Sequence, residues 1–149
     1  MAAGIGSGEY KAPDPSAIAA REAQQRADEQ KRAAQADHVW RESQPIQGTL
    51  AEVYLRSRGI VGQLPKALRF HAACWHGPTA KRYPAMVAAI QGNRLPAVHR
   101  TYLRSDGLGK ADIERPRAML GSTAGAAVRL TEGHEALVVC EGVETALSL

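Results

Sequence analysis

Glu141 is the residue whose position in the sequence best suits catalysis or ligand binding. Four apolar residues of strand type, 137–140, precede it, and Gly142 and a helical pattern through residue 149 follow it. This order predicts a strand, a tight turn and a helix. Ligands and catalytic groups collect at the carboxyl ends of strands in open α/β sheets, so Glu141 would lie at the mouth of a site. The same pattern also fits a βα turn with a solvated glutamate.

Two other stretches contain residue types that could bind a metal or a phosphate. His71, Cys74 and His76 are close enough in sequence to suggest zinc, but no second pair of ligands follows at the usual spacing. A loop in which Cys74 and Trp75 are partly buried is the favoured interpretation. The loop 105–110 ends in a lysine, yet it lacks the spacing and the hydroxyl residue of a phosphate-binding P-loop.

Composition limits the class of protein. A chain of 149 residues is the size of one domain, and its 5% aromatic content predicts a core of Ala, Val and Leu. The formal net charge of +4 suits an acidic partner without requiring one. Two cysteines give no disulfide framework, and no apolar run reaches membrane-spanning length. We expect a cytoplasmic protein with no membrane partner.

The first third of the chain predicts a tail and a long helix. Residues 1–13 are rich in Gly and Ala and are expected to be disordered. Residues 14–42 are rich in Ala, Gln and charge and predict a mostly solvated helix, with Asp14 or Ser16 as N-cap. Its charges could contact a nucleic-acid backbone, although a solubilising face is favoured. The helix is expected to stand apart from a compact body that begins near Val39.

A second helix is predicted over residues 50–58. Thr49 and Glu52 fit a capping box, and Gly59 fits a left-handed C-cap. The predicted buried stripe of this helix consists of Leu50, Val53 and Tyr54.

Strand-like runs make up most of the remaining sequence. Residues 84–90 and 95–103 flank a Gly-Asn turn signal and predict an antiparallel pair. Shorter strands are expected at 67–71 and 126–130, and at 137–140 before Glu141.

The segment VCEGVETAL, residues 139–147, resembles the first motif of Toprim domains, the metal-binding module of bacterial primases and topoisomerases. The upstream segments GTLAEVYLRSRGI (48–60), YPAMV (83–87) and VHRTYL (98–103) resemble the region before Toprim in primase-like proteins of phages, plasmids and proteobacteria. Together they cover the chain from about Trp40 onward. The resemblance implies an α/β fold, in which an α+β body with antiparallel hairpin strands leads into the first βα unit of Toprim. The implied domains are the region 43–136 and an incomplete Toprim domain over 137–149.

The resemblance also implies a role for Glu141. In the intact family this glutamate is the general acid or base and, with a later Asp-x-Asp pair, a ligand of Mg²⁺. Only Glu141 is present here, so the resemblance indicates a chain truncated after the first motif. We expect an incomplete metal site that binds no cofactor stably.

The region before Toprim helps to form the groove for single-stranded template in such primases, where Lys and Arg neutralise phosphates. A solvated surface is an equally good interpretation of the same side chains. The nucleic-acid-binding residues that the resemblance implies are Arg94, Arg100, Arg104, Lys110, Arg115 and Arg117.

Two functions follow from these observations. The first is a primase-like protein of mobile-element replication that binds single-stranded DNA or RNA weakly, works with a helicase or another replication protein, and lacks catalysis by itself. The second is a small non-enzymatic regulatory protein that contacts a partner through its N-terminal helix. Salt-dependent nucleic-acid affinity distinguishes the first from the second.

Overall fold

An antiparallel sheet of five strands forms the body of the chain, and a long helix precedes it. The computed structural model describes residues 8, 10–133 and 136–149, so residues 1–7 and 9 of the predicted disordered tail lie outside the described residues. The strands lie in the sheet in the order in which they occur in the chain. The fold is therefore α+β, which confirms the predicted class. The elements are α1 (Pro15–Glu42), β1 (Gln44–Pro45), α2 (Leu50–Ser57), β2 (Leu68–His76), β3 (Lys81–Ile90), β4 (Ala97–Tyr102), β5 (Arg117–Leu120) and α3 (Val143–Leu147).

Helix α1 starts where the sequence predicts it. Asp14 is the N-cap, and its carboxylate accepts a hydrogen bond from the Ser16 backbone N–H at 3.0 Å. Such a cap satisfies a donor that the first turn leaves unpaired.

Within the part of the chain that the structure describes, no helix is both long and apolar enough to cross a membrane.

The second half of α1 packs against the sheet. Ala33 and Ala36 are buried, and Val39 and Trp40 pack in one apolar cluster with Ala36. The helix therefore meets the body about six residues before Val39, earlier than predicted. Alanine conceals this contact in the sequence, because a small side chain adds little apolar area while it lets the helix approach the strands closely. The Arg69 guanidinium lies 4.2 Å from the centre of the Trp40 ring and holds this end of the helix.

Helix α2 starts at the predicted Leu50 and ends at Ser57, one residue before the predicted end, and its N-terminal cap is different. The Glu52 carboxylate accepts from the Gly48 N–H at 2.7 Å, and the Thr49 hydroxyl donates to the Ile46 carbonyl at 2.6 Å. The predicted capping box between Thr49 and Glu52 is therefore wrong, because each side chain bonds a neighbouring backbone group instead. Gly59 has a φ of +79°, which confirms the left-handed C-cap.

The buried face of α2 is rotated from the predicted stripe. Ala51, Tyr54 and Leu55 are fully buried, whereas Val53 is 41% exposed. Tyr54 was predicted correctly, but Ala51 takes the place expected for Val53. The reason is again a small residue that faces the sheet and carries no strong hydrophobic signal.

The sheet is built on the predicted hairpin. Strands β3 and β4 pair in antiparallel register from Ala85 opposite Tyr102 to Ile90 opposite Ala97, which confirms the predicted pair. Strand β2 is longer than the predicted 67–71 because it continues past a register shift between His71 and Cys74. The predicted loop around Cys74 is therefore wrong: Cys74 is buried within the strand, and Trp75 is half exposed.

Each face of the sheet carries its own apolar core. Met86 and Ala88 of β3 pack with α2, whereas Ala85 and Val87 pack with α1. Alternate residues of a strand point to opposite faces, so this one strand serves both cores.

Two predicted strands do not form. Within 126–130, Ala127 makes one isolated bridge to Gln91 and the rest is irregular. Residues 137–140 are irregular as well, and Leu137 and Val139 are 90% and 83% exposed. A strand needs a neighbour for its backbone groups, and no described segment runs beside 137–140. Only the helical half of the predicted βα unit is present, as α3.

Limited proteolysis should separate the two halves of α1. Trypsin is expected to cut after Arg21, Arg26 or Arg32 before it cuts after Arg41, because cleavage needs local unfolding and the second half is held by the sheet. Mass spectrometry of early time points identifies the sites. Equally fast cleavage after Arg41 would show that the helix is not packed.

Candidate functional site

A groove opens on the face of the sheet that α2 covers, beside the start of α3. His99 of β4 lies opposite Ala88 of β3 and Met119 of β5, and Ala88 belongs to the core beneath α2. Cross-strand partners share a face, so His99 and Met119 point to the α2 side. The groove has a volume of about 440 Å³. It is lined by Arg58, His99, Lys110, Arg117, Met119, Glu141, Gly142, Glu144 and Thr145.

Three cations reach the groove from three different parts of the fold. Arg58 follows the last turn of α2, Lys110 lies in the loop after β4, and Arg117 is the first residue of β5. The Arg58 guanidinium also lies 5.9 Å from the centre of the Tyr54 ring, which limits where it can point. Guanidinium groups bind carboxylates and phosphates through paired hydrogen bonds, so this arrangement favours an anionic ligand.

Glu144 links α3 to the body. Its Oε1 atom accepts a 2.6 Å hydrogen bond from the Tyr54 hydroxyl and lies 3.5 Å from the Lys110 Nζ atom. Burial acts to raise the pKa of Glu144, but the hydrogen bonds and the nearby Lys110 charge outweigh it and hold the pKa below its usual value. Burial and the Glu144 charge together raise the pKa of Tyr54. The tyrosine therefore stays a hydroxyl donor to an ionised carboxylate.

His99 is the least satisfied polar side chain of the groove. Its Nδ1 atom is buried and has no hydrogen-bond partner among the described residues. Burial lowers the pKa of His99; Glu144 opposes this shift, and Arg117, Arg100 and Lys110 add to it. A neutral imidazole with a free ring nitrogen can donate to or accept from a bound group.

The structure brings together three of the residues that the sequence singled out. Glu141, Lys110 and Arg117 line the same groove, although the strand expected before Glu141 is absent. Glu141 lies at the exposed rim, as a solvated carboxylate would.

The other predicted basic residues lie away from the groove. Arg100 points to the α1 face, where it donates to the carbonyls of Trp75 and Met119 at 3.3 and 3.5 Å. Arg104 pairs with Asp106 at 2.6 Å. Arg94 and Arg115 are exposed in loops outside the groove lining.

Sequence reasoning missed Arg58, His99 and Glu144 as members of the site. Arg58 and Glu144 are separated by most of the chain, and only the packing of α3 on α2 brings them together. Glu144 falls inside the motif-like segment 139–147, which was the one available signal for it. His99 falls inside the segment 98–103 of the same resemblance, but nothing there marked it as a site residue, because an alternating strand pattern does not show which side chains lack a partner.

The described residues do not fit a metal site. None of their His, Cys, Asp and Glu side chains form a group of three or more that could hold an ion. Glu144 is already bonded to Tyr54 and Lys110, so Glu141 is left as a single carboxylate. Mg²⁺ needs more preorganised oxygens than this before it gives up its water. His71 and His76 are separately occupied, by Glu42 at 3.0 Å and by Thr79 at 2.8 Å.

The bond between Tyr54 and Glu144 should stabilise the fold. Tyr54→Phe is expected to lower the free energy of unfolding by about 1–2 kcal/mol at pH 7, because a hydrogen bond to a charged group is lost. The pKa of Glu144 is lowered in the folded chain, so its contribution exists above the ordinary value of 4.5 and disappears as the pH falls through the folded value.

Urea denaturation of wild type and Glu144→Gln over a range of pH tests this sign. The difference between them should be full at neutral pH, start to decline near pH 4.5 and vanish as the pH falls below the lowered pKa of Glu144 in the folded chain. Glu22→Gln, on the exposed half of α1, is the charge-matched control and should change stability by less than about 0.5 kcal/mol. A pH-independent difference for Glu144→Gln would contradict an ionised, hydrogen-bonded carboxylate.

Comparison with known proteins gives one family. No curated protein and no solved structure matches the chain. A family model does match residues 30–130, which is more than half of the 149 residues. The matched range starts in α1, just before the buried Ala33. It includes four residues of the groove: Arg58, His99, Lys110 and Arg117. The chain therefore belongs to the family described as "Domain of unknown function (DUF7146)".

Proposed function

We propose that this chain binds single-stranded nucleic acid through the groove, as the binding part of a primase-like replication protein. The observation that carries the proposal is the convergence of Arg58, Lys110 and Arg117 around a neutral His99. Separate elements supply these cations, so their meeting belongs to the fold rather than to a charged stretch of sequence. Phosphates of a nucleic-acid backbone are ligands of matching charge.

The charge arithmetic supports weak and salt-dependent binding. Arg58, Lys110 and Arg117 oppose Glu141 and Glu144, which leaves a small positive excess when His99 is neutral. Single-stranded binding through three phosphate contacts gives a slope of about −2 for log K against log salt. Weak affinity at physiological salt follows from so few contacts.

The link to replication rests on the resemblance of residues 139–147 and the segments before them to primase-like proteins. A helicase or another replication protein is the partner that this proposal implies. A cytoplasmic location is part of the same proposal, and the two free cysteines, Cys74 and Cys140, accord with a reducing compartment.

Catalysis is not part of what we propose for this chain by itself. In the primases that it resembles, a glutamate at the position of Glu141 acts with an Asp-x-Asp pair that holds Mg²⁺. Glu141 here has no such group beside it within the described residues. We propose that it acts as a solvated acid at the rim of the groove.

A second candidate function is protein binding through the first half of α1. Nearly every residue from 15 to 32 is exposed, and these residues carry charges of both signs, such as the Glu22 and Arg26 pair at 3.8 Å. A solvated helix of this length presents a ready surface to a partner. Deleting residues 1–32 should abolish a protein complex under this candidate and leave nucleic-acid affinity unchanged.

Replacing groove arginines should weaken nucleic-acid binding. Arg58→Gln with Arg117→Gln is expected to reduce affinity for a fluorescent oligothymidylate and to make the salt slope shallower by roughly 1.4, since two phosphate contacts are lost. The control, Arg21→Gln with Arg26→Gln, removes the same charge from the exposed half of α1. Equal losses in the two double variants would remove the groove from the proposal.

Primer synthesis tests the expected lack of catalysis. With Mg²⁺ or Mn²⁺, nucleotides and a single-stranded template, wild type and Glu141→Gln should both produce no primer, because one carboxylate does not preorganise the metal. Gel analysis of labelled products is the measurement. Activity in the wild type that Glu141→Gln abolishes would mean that a second subunit or residues outside the described ones complete the site.

A further inference from the structure

The carboxylates of the C-terminal segment lie among the cations that a nucleic-acid strand would need. Glu144 is only 13% exposed and lies 3.5 Å from Lys110 Nζ, and Glu141 lines the same groove. A carboxylate and a phosphate are alternative partners for the same Lys and Arg side chains. The segment therefore competes with the ligand that the groove fits.

Few contacts hold this segment to the rest of the fold. Val143 and Leu147 of α3 are partly buried against the core beneath α2, and Glu144 links α3 to the body through Tyr54 and Lys110. Residues 136–140 before it are irregular and largely exposed. A five-residue helix is also too short to be stable without contacts. These features allow the segment to detach while the sheet stays folded.

Detachment would change what the groove offers. Among the described residues no Phe, Tyr or Trp lines the groove as it stands, whereas surfaces for single strands combine cations with rings on which bases stack. The Tyr54 side chain is fully buried, and its hydroxyl meets Glu144. Removing α3 would free Lys110 from its carboxylate and uncover the part of Tyr54 that Glu144 covers.

We propose that residues 141–147 form an autoinhibitory latch, in which Glu144 occupies Lys110 and Glu141 adds negative charge at the groove rim until a single-stranded nucleic acid displaces them. The inference rests on the proposed function, because it names what controls access to the same groove. It assigns Tyr54 a second role, as the residue that holds the latch closed.

Affinity measurements on three variants of the full chain test the latch. The probe is a fluorescent oligothymidylate of about 20 nucleotides, used at about 0.1 M salt. Glu141→Gln with Glu144→Gln should bind roughly three- to tenfold more tightly than wild type, since two competing charges are removed. Tyr54→Phe keeps both charges and should still bind about two- to fivefold more tightly, because the closed state loses a hydrogen bond. Circular dichroism confirms that each variant folds.

Glu22→Gln with Asp28→Asn, on the exposed half of α1, removes the same two negative charges and is the control for the change of net charge; it should alter affinity by less than about twofold. An increase in the Glu141→Gln and Glu144→Gln variant that does not exceed this control, or a Tyr54→Phe variant that binds no better than wild type, overturns the latch. If the latch is overturned in this way, the proposed function still stands when wild type binds the probe and the variant Arg58→Gln with Arg117→Gln does not. A probe that binds neither wild type nor the opened variants overturns both proposals.

Amide hydrogen exchange supplies a readout that a simple charge effect would not move. Exchange at residues 143–147 should rise in Tyr54→Phe without ligand, and it should rise in wild type when the oligonucleotide binds. Protection of these amides on binding would instead make α3 part of the ligand site. That result overturns the latch and leaves nucleic-acid binding standing.

Discussion

The structure depends on the burial of strand β3 on both of its faces. Residues 85–88 are almost completely inaccessible, with Ala85 and Val87 against α1 and Met86 and Ala88 in the core with α2. Helix α2 has eight residues, too few for a stable helix without contacts, so it depends on this packing. In α1 only the second half, from Ala33 onward, is packed, whereas residues 15–32 are helical and almost entirely exposed. One central strand therefore gives α2 and the second half of α1 a surface to cover.

Small residues make this two-sided packing possible. Alanine at positions 33, 36 and 51 lets helix backbones come close to the sheet, and Ala85 and Ala88 do the same from the strand side. Gly121, just after β5, is another position that requires a small residue: a Cβ atom there would lie 2.6 Å from the Pro96 carbonyl and 2.9 Å from Ala97. The two cores also bury large side chains, among them Tyr54, Tyr102 and Met86, so the predicted core of Ala, Val and Leu is incomplete.

Strand β4 is the exception to this apolar construction, and the groove lies there. Three consecutive residues of β4 each have a buried side-chain atom without a hydrogen-bond partner among the described residues: His99 Nδ1, Arg100 Nε and Thr101 Oγ1. Unpaired buried polar groups are costly, so their concentration on one strand needs an explanation beyond packing. A ligand that enters the groove beside His99 would satisfy at least one of them. The ion pair of Glu144 and Lys110 lies at the same place and is partly buried. It supports this interpretation because the Tyr54 hydroxyl, rather than solvent, holds the Glu144 carboxylate there.

The sequence by itself determined the elements whose signals are local. The Asp14 cap, the start of α2 with its Gly59 C-cap, and the hairpin of β3 and β4 follow from caps, turn residues and alternation, which act between neighbours in the chain. It also indicated Glu141 as a catalytic residue and, separately, Lys110 and Arg117 as members of one basic region, but it did not place the glutamate beside these cations. Only the tertiary structure decided that these three meet Arg58, His99 and Glu144, and that Arg100 does not, since strand pleating sends Arg100 to the opposite face. It also decided that residues 137–140 are no strand here: their apolar pattern has β character, but a strand forms only where a neighbouring backbone receives its hydrogen bonds.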